Sequence, residues 1–143
     1  MAGEAPILVQ TFDNVGLANP NPYSVMDIDA SNSNVVKTAA TTPSGAGGEC
    51  IGVLYDRAKL DTNGNVVANS GFSLRMHGIA RCIASAAVTP GDFVSVAGTN
   101  GKVHTQAKAT AGNVLVPIVG RALTQAAADG DQILVFLMIG ARV

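Results

Sequence analysis

The chain has no tryptophan, only two tyrosines and four phenylalanines in 143 residues, and just 13% of its residues carry a charge. That charge content is about half that of an average soluble domain. With so few aromatics, a core has to be filled by Val, Ile, Leu and Ala. With so few charges, the surface falls to Asn, Thr, Ser, Gly and small apolar residues. Such a surface costs little to desolvate, which suits a protein that spends its life in contact with others.

Clustered basic charge is also missing. Nine basic residues stand singly against ten acidic ones, for a formal net charge of -1. Phosphate recognition needs grouped Lys and Arg that displace counterions, so this pattern argues against direct nucleic-acid binding. No apolar run approaches the roughly 20 residues of a membrane-spanning helix, the longest being Ile133 to Ile139, and no membrane partner is expected. Met1-Ala-Gly-Glu4 offers neither a basic n-region nor an apolar h-region, which predicts cytoplasmic synthesis. Cys50 and Cys82 lie inside apolar segments rather than at loops, a setting for two buried thiols more than for a bridge.

What the sequence does contain is β grammar. Strands are expected at about 50 to 56, 65 to 68, 72 to 84, 93 to 97, 102 to 105, 114 to 123 and 132 to 139, separated by turn signals. Those signals are Asn63-Gly64, Pro90-Gly91-Asp92, Asn100-Gly101 and Asp129-Gly130-Asp131, residues that supply or tolerate the angles of tight turns. Helical periodicity is absent over any useful length. The fold class is therefore all-β, an antiparallel sandwich or barrel-like core over residues 49–143. Residues 1–48 read as an extended, loop-rich arm with two short strands, Ile7 to Phe12 and Tyr23 to Ile28, separated by Asn19-Pro-Asn-Pro22.

Two strands are informative by their patterns. In the first, Phe72, Leu74 and Met76 alternate with Ser73, Arg75 and His77, which predicts one solvated face. The second, Ile133 to Ile139, has no polar residue on either face and is expected to be covered on both, by a second sheet and a neighbouring subunit. A weak duplication aligns Ile51-Gly-Val-Leu54 with Val119-Gly-Arg-Ala122, and Met76 and Gly78 with Met138 and Gly140.

Reactive chemistry has little to stand on. His77 and His104 are the two imidazoles, and neither has a carboxylate or cysteine at ligand spacing. Asp27 and Asp29 share a strand face without a third oxygen cluster, and Asp129 and Asp131 run into the apolar Ile133-Leu-Val135 where a calcium loop would continue with ligands. Ser44 to Glu49 has the glycines of a phosphate loop but not its Lys-Ser/Thr. No nucleophile elbow occurs. Catalytic residues, metal ligands and cofactors are all expected to be none, and the protein is expected not to be an enzyme.

Over residues 50–140 the chain resembles the small capsid cement, or head-decoration, proteins of tailed bacteriophages. The resemblance rests on the order and spacing of Ile51-Gly-Val53, Gly78-Ile-Ala80, Pro90-Gly-Asp-Phe-Val94, Gly101-Lys-Val103, Gly112-Asn113, Val119-Gly-Arg-Ala122 and Gly130-Asp-Gln-Ile-Leu-Val135. It implies a non-enzymatic β-body, trimeric in many cases, that binds the major capsid protein on the outside of the mature head and reinforces it against internal DNA pressure. The Asn/Pro-rich front and the loop Asp61 to Asn69 depart from the more compact family pattern. Ile7, Val9, Phe12, Tyr23 and Met26 are the candidate capsid or subunit contacts, laid along a neighbour's sheet edge. Packing of the same residues inside their own subunit is the equal alternative. A carbohydrate- or host-binding β-module is the competing function, and it is short of the aromatics such a groove uses.

Overall fold

The computed structural model describes residues 6–12, 22–28, 36–38, 50–54, 62, 72–98, 100–107 and 116–142. Nine strands make up these residues: β1 (Pro6–Phe12), β2 (Val25–Ile28), β3 (Val36–Thr38), β4 (Gly52–Leu54), β5 (Phe72–Ile83), β6 (Phe93–Ala97), β7 (Lys102–Thr105), β8 (Val116–Ala122) and β9 (Gln132–Arg142). No helix occurs among the described residues. All strands join one antiparallel sheet in the order β3-β2-β4-β5-β9-β8-β6-β7, with β1 also paired to β5. The expected 65–68 strand and the Asn63-Gly64 turn lie outside the described residues, and β3 was not anticipated.

The sheet curls into a half-barrel. Its far strand β7 comes back to the end of β5, where Ala84 bridges Val103 and the Ser85 N–H donates to the Val103 carbonyl at 2.8 Å. A second tie runs from the Val25 N–H to the Gly101 carbonyl at 2.8 Å. Inside the curl sits the aliphatic core that the composition requires: Val25, Val53, Ala80, Cys82, Val94, Val96, Val103, Val119, Ile133, Val135 and Leu137, all buried. Among the described residues, no aromatic ring belongs to it.

Two turns close this core, and they are built alike. In the first, the Asp92 N–H donates to the Thr89 carbonyl across Pro90 and Gly91, with Gly91 at φ 95°. In the second, the Asp131 N–H donates to the Ala128 carbonyl across Asp129 and Gly130, with Gly130 at φ 91°. Positive φ at the third position, with Pro at the second in one case, is the type II arrangement. Each turn then docks on the strand end belonging to the other half. Gly91 and Asp92 exchange hydrogen bonds with Ala122, while Gly130 and Asp131 exchange them with Ala84. Between them Val88 and Ala126 exchange both N–H···O bonds at 3.0 Å. The units β5–turn–β6 and β8–turn–β9 thus interlock about a local two-fold axis through the Val88–Ala126 pair. This matching of hydrogen bonds relates β5 to β8 and β6 to β9. It is not the β4–β5 to β8–β9 alignment read from the sequence, because conserved hydrogen bonding at the turns, rather than the Gly-containing strands, carries the equivalence.

The second turn has a titratable lock. Asp131 Oδ2 accepts the N–H groups of Ala127 at 2.7 Å and Ala128 at 2.9 Å, and these bonds hold its carboxyl below the ordinary Asp value. The turn binds the anion, so its contribution is complete above the unfolded-state value of about 3.9 and is lost as pH falls through the lowered folded value. Asp131→Asn is expected to melt below wild type at neutral pH, with the gap narrowing as the pH falls below the ordinary Asp value. A gap of constant size in thermal melts would assign the loss to side-chain shape instead of charge.

Candidate functional site: an apolar outer face bordered by arginines

The outer surface of the curl is where the sequence and the structure disagree most. Side chains directly opposite each other on paired strands project to the same face. The register Ile79 with Phe136, Phe136 with Arg121, and Arg121 with Phe93 therefore sets those four residues in one row across β5, β9, β8 and β6. A second row holds Arg81 and Leu134, joined by Leu123, whose N–H donates to the Leu134 carbonyl at 2.8 Å. On β9 the inward residues Ile133, Val135 and Leu137 are buried, whereas Phe136 is 38% and Met138 44% exposed, and Leu123 beside them is 43% exposed. Of the two covers expected for Ile133 to Ile139, the chain's own described residues supply one. One face meets the core, and nothing described within the chain covers the other. Met138 stands at a β-bulge, since Ile118 pairs Gly140 while Gly120 pairs Leu137, leaving Met138 and Ile139 opposite Val119.

The polar groups on this face are held in place. The Arg121 guanidinium lies 5.8 Å from the Phe93 ring centre while its Nε donates to the Gly91 carbonyl at 2.8 Å. Arg81 lies 5.4 Å from the ring centre of Tyr23, with its NH1 donating to Gln132 Oε1 at 3.4 Å. His77 is exposed and meets Phe136 edge-on at 6.2 Å. Cations stacked on rings and tethered by a hydrogen bond lose less freedom on binding than loose ones. Arg, aromatic residues and Met are also the side chains enriched in protein contact surfaces.

Tyr23 reaches Arg81 from a backbone at φ 67°, the left-handed region that a bulky residue rarely enters. The neighbouring Ser24 is buried, and its carbonyl accepts the Leu54 N–H at 2.9 Å. Of the other expected contact residues, Ile7, Val9 and Phe12 lie on β1, which pairs with β5 of its own chain, Val9 opposite Arg75 and Phe12 opposite Phe72. Met26 is fully buried, so its role as an external anchor is corrected to core packing: β2 is covered on both faces, with Val25 equally buried. The signal for the outer face was present in the apolar residues Leu134, Phe136 and Met138. The row partners Arg81 and Arg121 had none, because their place depends on pairing between strands distant in sequence.

No group of three potential metal ligands occurs among the described residues. Cys50 is a half-buried free thiol, and Cys82 is buried. The Cys50 Sγ is turned inward, donating to the Gly52 carbonyl at 3.7 Å, and burial pushes its thiol up to about 12, with the Asp27 carboxylate adding to the rise. It remains protonated at neutral pH and is a poor nucleophile. Asp129 is engaged by Lys102 at 2.7 Å, and Asp92 by the Thr89 N–H at 3.1 Å and the Thr105 hydroxyl at 3.0 Å. Asn100 and Gly101 lie in the β6–β7 connection. No helix of the described residues is long and apolar enough to cross a membrane. No protein-family model matches the chain, and a search of curated proteins finds no match.

Proposed function

We propose that this protein is a structural capsid decoration protein of a tailed phage, a non-enzymatic homo-oligomer, trimeric as the resemblance implies. In this reading it binds the major capsid protein on the outside of the mature head, stabilises the shell against internal DNA pressure, and resides on the virion surface. The observation that supports it best is the outer sheet face: Phe136, Met138 and Leu123 stand exposed beside two tethered arginines, on a sheet whose described turns hold Asp92, Asp129 and Asp131 in local hydrogen bonds. A protein built this way gains by contact. Several weak contacts made at once by one oligomer multiply into firm attachment.

Mixing the purified protein with empty expanded heads and sedimenting them tests the reading. Co-sedimentation with expanded heads, and none with unassembled coat subunits, is the expected outcome. Protein that stays in the supernatant, or that binds glycans on an array and not heads, overturns it in favour of a host- or carbohydrate-binding module.

A further inference from the structure

Two arginines on the outer face are fixed in place and meet no acid there. Arg121 stacks on Phe93 and donates its Nε to the Gly91 carbonyl at 2.8 Å. Arg81 stacks on Tyr23 and donates to Gln132. Tyr23 reaches it from a left-handed backbone at φ 67°, and backbone strain of this kind gathers at surfaces and clamps that bind. Strands β5 to β9 contain no Asp or Glu. The carboxylates of the neighbouring turns are engaged elsewhere: Asp92 by Thr89 and Thr105, Asp129 by Lys102, and Asp131 by the Ala127 and Ala128 N–H groups. Among the described residues neither guanidinium forms an ion pair.

The register fixes how these two charges stand to each other. Arg81 is opposite Leu134 on β9, and Phe136, two residues further along β9, is opposite Arg121 on β8. Their Cα atoms are thus two strand spacings across and two residues along from each other, about 12 Å. Leu134 and Phe136 lie between them.

We infer that this face binds an acidic segment of a protein partner, an extended chain carrying one carboxylate for each arginine and an apolar side chain between them that seats on Leu134 and Phe136. Four residues of extended chain span about 13 Å, and positions i, i+2 and i+4 share a face, so one strand supplies all three groups. With the Nε of Arg121 given to Gly91, its two Nη groups are the edge that takes both oxygens of a carboxylate. Phosphate suits arginine equally well, but nucleic acid calls for clustered cations, and two separated arginines around an apolar centre are the surface of a protein contact. This rests on the reading of the protein as one that works by attachment, with the coat protein as the carrier of the segment.

The blocked peptide Ser-Glu-Thr-Leu-Thr-Glu-Ser, and its twin with Gln for both Glu, test the chemistry by titration into the full chain, followed by amide NMR. Saturable shifts centred on Arg81, Arg121 and Phe136 are expected, with the Gln twin about tenfold weaker. Arg81→Gln with Arg121→Gln removes that difference. Arg81→Lys with Arg121→Lys keeps the charges and loses the planar forks, and is expected to fall between the two. The same spectra show whether each variant is folded. On empty expanded heads, where many contacts act at once, the Gln variant is expected to bind at least about a hundredfold more weakly than wild type.

Absent shifts, shifts centred elsewhere, or equal affinity for the two peptides overturns the inference. So does a single-stranded DNA oligonucleotide that binds this face more tightly than the acidic peptide, which would make it a reader of phosphates. A Gln variant that holds heads as wild type does overturns it too, while leaving the decoration function in place. Wild type that fails to sediment with heads while the peptide results hold removes the decoration function and leaves this acidic contact standing for another protein.

Discussion

Gly120→Ala is expected to lower stability by about 3 kcal/mol or more, at the upper end of what overpacking costs, and the melting temperature by on the order of 10 °C. A Cβ at Gly120 would overlap the Phe136 carbonyl oxygen and lie 2.8 Å from Val135 Cγ1 and 2.9 Å from the Phe136 carbonyl carbon. Two of these three atoms are backbone of β9, so no rotamer change relieves them. Nor can β9 step aside, because it is central: Phe136 pairs with Arg121 on β8 and with Ile79 on β5. The close approach belongs to the register shift, where Gly120 faces Leu137 next to the doubled residues Met138 and Ile139. Gly140→Ala is the control. Its Cβ would meet nothing closer than the Met138 carbonyl oxygen at 3.8 Å, and it should melt within about 0.5 kcal/mol of wild type. Equal melting of the two variants would show that β8 can move off β9, and the rigidity ascribed to the outer face would go with it.

The same strand pair shows what the sequence can carry. Strands β6 and β7 fall on the ranges read from alternation and turn residues, and the all-β class follows from them. The turns at Pro90-Gly91-Asp92 and Asp129-Gly130-Asp131 are local chemistry, because Pro sets φ, Gly accepts positive φ, and Asp caps back onto the chain. What alternation does not hold is which strand lies beside which. β5 pairs with β1 over Phe72 to Gly78, with β4 on its other edge at Leu74 and Arg75, and with β9 from Gly78 to Ile83, so its faces are decided by residues tens of positions away. The exposure of Phe136 and Met138 has the same origin. An apolar run tells that two faces seek cover, and the chain's own layers provide one. The three-residue β3 and the Arg81 and Arg121 positions have no local pattern to read.

Arg75 is the residue where alternation fails outright, and Arg75→Ala is expected to cost about 3 kcal/mol or more, as large-to-small changes at buried sites do. Placed by period on a solvated face with His77, it is 1% exposed instead. Its register partners explain why. Arg75 stands opposite Val53, and Val53 opposite Val25, so all three share the face that carries the core. Beyond Gly78, however, Ala80, Cys82 and Ala84 supply the core side chains, and an odd position cannot share a face with even ones in an uninterrupted strand. The alternation must change phase between them. It does so between Arg75 and His77, since His77 is exposed beside Phe136 on the outer face and the pairing with β1 is irregular at that point, Leu8 standing opposite His77 and Val9 opposite Arg75.

The guanidinium spans that phase change. Arg75 NH1 donates to the Ile79 carbonyl at 2.8 Å. In an unbent strand these residues would be about 13 Å apart along the axis, too far for a side chain standing off the sheet, so the bond reports the bend and fastens it. Arg75→Met separates the two roles. It keeps most of the volume and removes the charged donor, and hydrogen bonds to charged groups are worth about 1.5–3 kcal/mol. The Met variant is therefore expected to lose about 2 kcal/mol, with faster amide exchange from residues 76 to 80 than in wild type. A Met variant as stable as wild type, with exchange unchanged across Gly78, would mean that the side chain only fills space and that β1, β4 and β9 hold the bend by pairing alone.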